Sequence, residues 1–300
     1  MVLTVFAVIA PQPWMKVSHP RLVPESPKSE EPPKTSSFPS EGPREQVELF
    51  HDVLQVLENN RVPYAVSGAF ALRQHTGICR FTKDLDLFVT AQTSALAMKC
   101  LESAGMECDV PDPVWLSKAR RDGFFVDLIT GMSNGVITVE DSWIERAYPA
   151  VVYGVVTRVL APEELVASKI FVARRERFDG VDIAHVIFGT HGRFDWNREL
   201  DLVGEHWEML LWNLVLFRYS YPAHSDLVPE QVWLELLGRF EHEIRNPVPK
   251  APFRGSLVDD NMFAIDVHEW GMANLVEERR KLRLSKLSSV ENSNGSKPGA

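Results

Sequence analysis

The fold is indicated first by residues 84–90, Asp84-Leu-Asp-Leu-Phe-Val-Thr90, in which polar and apolar side chains alternate. A period of two is typical of a half-buried β-strand, whose successive side chains point to opposite faces. Asp84 and Asp86 therefore project from one face, while the leucines beside them enter the core. Two adjacent carboxylates repel one another unless a cation lies between them, and magnesium prefers such oxygen ligands. This strand thus predicts half of a metal site.

A second strand offers a third carboxylate. Residues 124–130, Phe124-Phe-Val-Asp-Leu-Ile-Thr130, place Asp127 between two apolar residues that point to the opposite face. If this strand pairs beside the first, Asp84, Asp86 and Asp127 converge, which is enough for two metal ions. One ion would lower the pKa of an acceptor hydroxyl, and the other would stabilise a leaving pyrophosphate. The alternative is a row of solvent-facing acidic residues without a metal.

The flanking sequence predicts an α+β fold, a small mixed sheet with flanking helices followed by a mainly helical C-terminal part. Apolar residues at helical spacing predict a helix from Arg44 to Asn59. A short strand, 62–66, is followed by a turn at Gly68 and a short helix, 70–75. A helix is also expected over 93–103, and beyond Gly131 the predicted helices are 162–176, 182–187, 205–220 and 229–243.

Composition suggests tails at both ends. Residues 11–44 contain nine of the twenty prolines and six serines, so we predict a disordered Pro/Ser-rich tail over 1–44. A first domain is expected over 45–160 and a helical domain over 161–284. The polar residues 285–300 are predicted to form a second disordered tail.

The overall charge restricts the class of partner. The net charge is -9 and the pI is near 5.5, so long nucleic acid is an unlikely partner because this surface would repel a phosphate backbone. The three cysteines, 79, 100 and 108, form no metal-spaced pair, which favours a reduced cytoplasmic location. The apolar stretch 2–10 is short and lacks a basic region, so a signal peptide is not expected. The stretch 207–217 is too short for a membrane span, so no membrane association is expected.

Residues 66–89 together resemble the active-site signature of DNA polymerase β-like nucleotidyltransferases, and more closely that of bacterial stand-alone nucleotidyltransferase family proteins. The signature is a Gly-Gly or Gly-Ser turn, a short helix, an Arg-x-Thr-x-Asp-x-Asp strand and a later strand aspartate. The matching positions are Ser67, Gly68, Arg80, Thr82, Asp84, Asp86 and Asp127. The likeness continues through segments 162–169, 177–185, 206–207, 253–257 and 266–271, and so covers about residues 45–273.

The resemblance implies roles for these residues. It makes 45–160 the catalytic domain, with Asp84, Asp86 and Asp127 as catalytic metal ligands for Mg2+ or Mn2+. Ser67 and Gly68 would bind the nucleoside triphosphate (NTP), although the turn here reads Ser-Gly-Ala. Arg80 would neutralise phosphate charge or else pair with Asp84 or Asp122.

Lys169 would contact the triphosphate from the helix opened by Pro162, since a lysine is found at this place in related enzymes. The alternative is a solvated helix lysine. In either case we expect its replacement to change stability little.

The predicted activity is metal-dependent transfer of a nucleoside monophosphate from an NTP to an acceptor, with release of pyrophosphate. The acceptor is open: a small molecule, a protein side chain or an RNA end. The alternative is a catalytically degenerate nucleotide- or protein-binding module, such as a toxin–antitoxin component. A metal phosphatase is disfavoured because such sites usually include additional histidine ligands.

Overall fold

The structure, a computed structural model, describes the backbone of residues 42–294 and the side chains of residues 42–287. The predicted tail residues 1–41 and 295–300, with the apolar stretch 2–10, lie outside the described residues.

A seven-stranded mixed sheet forms the centre of the described structure, in the order β3-β4-β5-β2-β1-β7-β6. Strands β2 and β5 are parallel, as are β1 and β7, and the other neighbours are antiparallel. The strands are β1 (Ala65–Val66), β2 (Asp84–Phe88), β3 (Glu107–Asp112), β4 (Leu116–Arg121), β5 (Phe124–Ile129), β6 (Tyr148–Val152) and β7 (Val155–Val159). The predicted fold class, a mixed sheet with flanking helices and a helical C-terminal part, is confirmed.

Helices cover the sheet and make up most of the chain after β7. They are α1 (Arg44–Asn59), α2 (Gly68–Thr76), α3 (Ala91–Ser103), α4 (Asp141–Glu145), α5 (Pro162–Lys169), α6 (Gly180–Gly189), α7 (Trp196–Val203), α8 (Trp207–Ser220), α9 (Glu230–Arg245), α10 (Gly255–Val258), α11 (Ala264–His268) and α12 (Leu275–Asn294). The buried stripe of α1, with Leu49, Phe50 and Val53 at its centre, packs on β5 and β7. No helix in the described part of the chain is long and apolar enough to cross a membrane.

The predicted sheet was too small, because β3, β4, β6 and β7 were missed, and with them the tight hairpins β4–β5 and β6–β7. Both turn through two residues with positive φ: Asp122 and Gly123 between β4 and β5, and Tyr153 and Gly154 between β6 and β7. Such conformations are typical of the two-residue turns that suit the twist of paired strands. The segment between Gly131 and Pro162, for which no element was predicted, contains the short helix α4 and the hairpin of β6 and β7.

Two predicted boundaries after β7 are wrong. The helix that begins at Pro162 ends at Lys169 rather than at 176, because the chain then forms a bridge between Ala173 and Phe178 around a tight turn. At the other end, α12 continues past Ser285 to Asn294, where the sequence predicted a tail.

The C-terminal helices pack against the sheet strands and their connecting segments. Arg283 of α12 is buried and donates through Nη2 to the carbonyl oxygen of Thr130 at 2.6 Å. Arg198 of α7 donates to the buried Glu164 of α5 at 3.0 Å. Through Arg283, the helical part therefore contacts the end of β5.

Gly68 opens α2 in a conformation that requires glycine. Its φ is +57°, and a Cβ added there would lie 2.1 Å from Oδ2 of Asp86. At the other end of α2, Gly77 has a φ of +73° but nothing within 4 Å of an added Cβ. Both positions favour glycine because their φ values are positive. Only at position 68 does a close contact also exclude a side chain.

We predict different stability losses for alanine at these two positions. Gly77→Ala should lower the free energy of unfolding by about 1 kcal/mol, the cost of a left-handed alanine. Gly68→Ala should lower it clearly more, because its methyl group must also displace the Asp86 carboxylate. Urea denaturation of the two variants measures the difference, and equal losses would contradict this account.

Candidate active site

The three predicted carboxylates converge on one face of the sheet. Asp86 of β2 lies directly opposite Asp127 of β5 in the parallel register, and Asp84 lies two residues before Asp86. One carboxylate oxygen from each residue lies within 4.8 Å of the others. The leucines between and after the β2 aspartates are fully buried on the other face. Convergence therefore follows from the alternation of β2 and β5 and from their pairing.

The electrostatics of this cluster favour a bound cation. Burial, together with the neighbouring charges of Asp84 and Asp127, raises the pKa of Asp86 to about 7. Burial also raises the pKa of Asp127, against the effect of a hydrogen bond from Lys118. A divalent cation among the three carboxylates would offset this repulsion, and oxygen ligands suit magnesium or manganese. The donor set thus fits the predicted metal.

The turn before α2 lies against the metal cluster. The backbone N–H of Ser67 donates to the carbonyl oxygen of Asp86 at 2.8 Å, and Ser67 is buried. Because Gly68 has no side chain, the Asp86 carboxylate lies against the first turn of α2. The Ser67-Gly68 turn therefore fixes the position of the Asp86 carboxylate.

Lys118 is a site residue that the sequence analysis did not identify. Its Nζ lies 2.5 Å from Oδ1 of Asp127, and the two residues are paired across β4 and β5. Both side chains are mostly buried, and the ammonium lies 3.9 Å from the centre of the Phe125 ring. The signal in the sequence was the Asp122-Gly123 hairpin turn, which places β4 beside β5.

A second cluster combines three cations with two carboxylates. Lys169 Nζ lies 2.5 Å from Asp179 and 3.0 Å from Asp182. Arg177 pairs with Asp179 at 2.8 Å, and Arg80 pairs with Asp182 at 2.5 Å. These five residues, hereafter the ion-pair cluster, carry one net positive charge.

The ion-pair cluster corrects two sequence expectations. Arg80 pairs with Asp182, not with Asp84 or Asp122. Lys169 is not a solvated lysine: its side chain is only 8% exposed and both partners are charged, so its replacement should affect stability. Burial opposes ionisation of Asp179, but hydrogen bonds from Arg177 and Lys169 hold its pKa below the usual range. Arg177, in contrast, keeps 68% of its side chain exposed.

One cavity of about 440 Å³ joins the carboxylates to the ion-pair cluster. All seven residues that the sequence analysis selected line it: Ser67, Gly68, Arg80, Asp84, Asp86, Asp127 and Lys169. A neighbouring cavity of about 330 Å³ shares Ser133, Asn134 and Arg174 with it. The wall between the two cavities contacts α10, because the side chain of Asn134 donates to the carbonyl oxygen of Leu257 at 2.9 Å. The cavity is large enough for a nucleotide-sized ligand.

Several solved structures show partial similarity to this chain. The solution structure of the antibiotic-resistance factor ANT(2'')-Ia matches at 15% identity, covering 60% of this chain and 95% of that one, with a TM-score of 0.38. An antigenic nucleotidyltransferase-like protein from Paracoccidioides brasiliensis matches at 19% identity, covering 61% and 91%, with a TM-score of 0.38. A putative nucleotidyltransferase from Helicobacter pylori matches at 13% identity, covering 81% and 95%, with a TM-score of 0.34. No curated protein matches the chain.

The family comparison covers more than half of the chain. The model of the family described as "Nucleotidyl transferase of unknown function (DUF2204)" matches residues 46–208. This range contains all three carboxylates and the whole ion-pair cluster, and so agrees with the resemblance drawn from residues 66–89. The chain therefore belongs to the DUF2204 family of nucleotidyl transferases.

Proposed function

We propose that this nucleotidyl transferase uses Mg2+ or Mn2+ to move a nucleoside monophosphate from an NTP to an acceptor hydroxyl or other nucleophile. The observation that carries the proposal is the convergence of the three carboxylates beside a cationic cluster in one cavity. Asp84 and Asp86 would hold the metal that carries the triphosphate, with Asp127 completing the ligand set. A bound divalent ion supplies Lewis-acid stabilisation of phosphate charge and lowers the pKa of the acceptor hydroxyl.

The transfer step requires a base close to the acceptor. The acceptor oxygen attacks the α-phosphorus, and its proton passes to the carboxylate of Asp127. The bond from the α-phosphorus to the bridging oxygen breaks, and pyrophosphate leaves with that electron pair. Asp127 suits this role because its nearest cation is Lys118 of β4, whereas the charge of Asp86 is influenced by Lys169 and Arg177 of the ion-pair cluster. The triphosphate then occupies the side of Asp86 and the acceptor the side of Asp127.

The charge of the triphosphate is met by the ion-pair cluster. Within the ion-pair cluster, Arg177 is the cation best placed to reach substrate, because it lines the cavity and most of its side chain is exposed. Arg80 is partly exposed and lines the same cavity, and its guanidinium suits phosphate oxygens. Lys169 contributes charge from a buried position and holds Asp179 and Asp182 in place. Ser67 and Gly68 complete the proposed triphosphate site beside Asp86.

The proposal also includes the class of acceptor and a cytoplasmic location. The acceptor would enter beside Asp127 and would be a small molecule, a protein side chain or an RNA end. Long nucleic acid is disfavoured because the protein has a net negative charge. The described cysteines form no disulfide, in keeping with the proposed cytoplasmic location. A degenerate binding module would not need all three carboxylates, and here they are all present and converge.

Pyrophosphate release tests the proposal directly. The protein is incubated with Mg2+, each α-labelled NTP and a cell extract, and both pyrophosphate and labelled acceptor are measured. Release that depends on Mg2+ and on one class of acceptor is expected. Absence of pyrophosphate and label with every NTP, from protein shown to be folded, would refute the activity.

The first site prediction concerns the metal-binding carboxylates. Asp84→Asn or Asp86→Asn should abolish turnover, while the metal-free protein keeps its fold. Removing one of three mutually repelling charges should raise the free energy of unfolding in chelator by about 1 kcal/mol. Turnover and urea denaturation measure the two effects, and magnesium-dependent activity within about tenfold of wild type would contradict the assignment.

The second site prediction separates binding from transfer. Asp127→Ala should keep the affinity for magnesium and a nonhydrolysable NTP analogue within about tenfold, because Asp84 and Asp86 remain. Its transfer rate should fall by about 100-fold or more, as expected for a group that acts mainly in the transition state. Calorimetry measures the binding. The division of roles fails if Asp127→Ala loses binding as completely as Asp86→Ala does.

The third site prediction concerns the ion-pair cluster. Lys169→Met should lower the free energy of unfolding by about 2 kcal/mol, because two largely buried carboxylates each lose a partner. Arg177→Gln should cost less stability than Lys169→Met, because Asp179 keeps Lys169 as a partner, but should raise the KM for NTP by about tenfold or more. Lys99→Met, at an exposed position on α3, is the matched lysine control. If Lys169→Met is as stable as Lys99→Met, the ion pairs of Lys169 with Asp179 and Asp182 contribute nothing to the free energy of unfolding.

A further inference from the structure

The C-terminal half of α9 is exposed on every side of the helix. Val232 and Leu236, in the first half, are buried in the hydrophobic core. Residues 237–250, in contrast, are all exposed within the described structure. An isolated helix of this length is only marginally stable in water, because most helical stability comes from packing of an apolar face. Within the described part of the chain, the second half of α9 lacks that packing.

A stripe of apolar side chains runs along this half of α9. Its members, hereafter the α9 stripe, are Trp233, Leu237, Phe240 and Ile244, at intervals of four, three and four residues. This is the spacing of the seam between two packed helices. The last three side chains are 48%, 42% and 64% exposed, whereas a helix ordinarily turns its apolar stripe to the core. A continuous exposed stripe of this kind marks an interaction surface.

The spacing of the α9 stripe is the same in either direction, which suits a second copy of the same helix running antiparallel. If Leu237 faces the partner subunit's Phe240, then Trp233 faces the partner subunit's Ile244. A two-fold axis between the two helices repeats both contacts. Each contact then pairs an aromatic ring with a branched aliphatic side chain. The stripe is therefore complementary to itself.

The charges beside the α9 stripe are also complementary in this arrangement. Arg218 of α8 and Glu230 line a cavity of about 450 Å³ together with Trp233, and neither forms an ion pair within residues 42–287. An antiparallel copy brings the partner subunit's Glu243 and the partner subunit's Arg245 to this end of the helix. Arg218 would then oppose a carboxylate and Glu230 a guanidinium. A parallel copy would instead place Glu230 beside its own counterpart, which like charges disfavour.

We propose that the exposed face of α9 is a two-fold, antiparallel interface between two copies of this chain. The α9 stripe forms its centre, and the charged residues on either side of the stripe form its edge. The cavity that contains Asp84, Asp86 and Asp127 is lined by none of these residues. The inference therefore does not depend on the proposed function.

The oligomeric state in solution tests the proposal. Sedimentation equilibrium of the full chain should show a dimer at about 50 μM. Leu237→Glu should raise the dissociation constant by about 100-fold or more, because the two-fold interface would then bury two unpaired carboxylates. Leu96→Glu is the matched control, since Leu96 lies on α3 and is 47% exposed, and it should leave the dimer unchanged. Circular dichroism checks the fold of each variant.

An exchange of charges tests the antiparallel orientation. Arg218→Glu and Glu243→Arg should each weaken the dimer by about fivefold or more, because each places like charges opposite one another. An equimolar mixture of the two variants should recover an affinity near that of wild type, since both pairs are then opposite in sign. In a parallel interface, Arg218 and Glu243 would lie at opposite ends, so neither variant would weaken the dimer.

The outcomes separate this inference from the proposed function. Folded wild type that is monomeric at about 100 μM would overturn the interface, as would a dimer that Leu237→Glu leaves intact. Single charge variants that bind as wild type does would overturn the antiparallel pairing. If Leu237→Glu does not fold, Phe240→Ser and the charge exchange decide the question. A protein that dimerises as expected but releases no pyrophosphate would refute only the nucleotidyl-transfer proposal.

Discussion

Asp86 and Asp127 face one another across two paired parallel strands, and their mutual repulsion explains much of the structure around them. Neighbouring strands lie about 4.8 Å apart, so the register itself forces the two carboxylates together. Residues on either side of the two carboxylates accommodate them. Gly68 lets α2 begin directly against Asp86, and Lys118 neutralises the far side of Asp127. What remains uncompensated is the space between them, which is where a cation gains most by binding.

The cavity thus separates charge into two regions with different tasks. The carboxylate cluster is negative and open to a metal, whereas the ion-pair cluster has an excess of one positive charge. A metal–triphosphate complex has the complementary arrangement, with its cation at one end and phosphate oxygens along the rest. Such preorganised charge is effective because it need not rearrange as charge moves in the reaction. Under the proposed function, the two fixed clusters would orient the NTP before any acceptor enters.

The strands that carry the three aspartates, β2 and β5, were predictable because their polar and apolar residues alternate and the apolar ones are buried in the structure. β2 and β5 were identified within a residue or two, and their pairing could be anticipated from the resemblance of residues 66–89. β4, in contrast, reads Leu-Ser-Lys-Ala-Arg-Arg, which has weak alternation, so Lys118 was not found. The Asp-Gly turn at 122–123 was a usable signal that went unused. An ion-pair cluster of Arg177, Asp179 and Asp182 could be expected from their spacing, but the part of Lys169 in it was missed, because an irregular turn at 174–177 separates Lys169 from both aspartates.

The buried position of Lys169 also determines how the two parts of the chain act together. Lys169 ends α5, Asp179 and Asp182 lie at the start of α6, and Arg80 comes from the segment that leads into β2. One set of ion pairs therefore connects the helical part to the strand that carries Asp84 and Asp86. Because breaking a buried pair leaves an uncompensated charge, these elements resist moving apart. The cations proposed to meet the triphosphate and the carboxylates proposed to bind the metal are thus held at a fixed spacing by the same contacts that join α5 and α6 to the sheet.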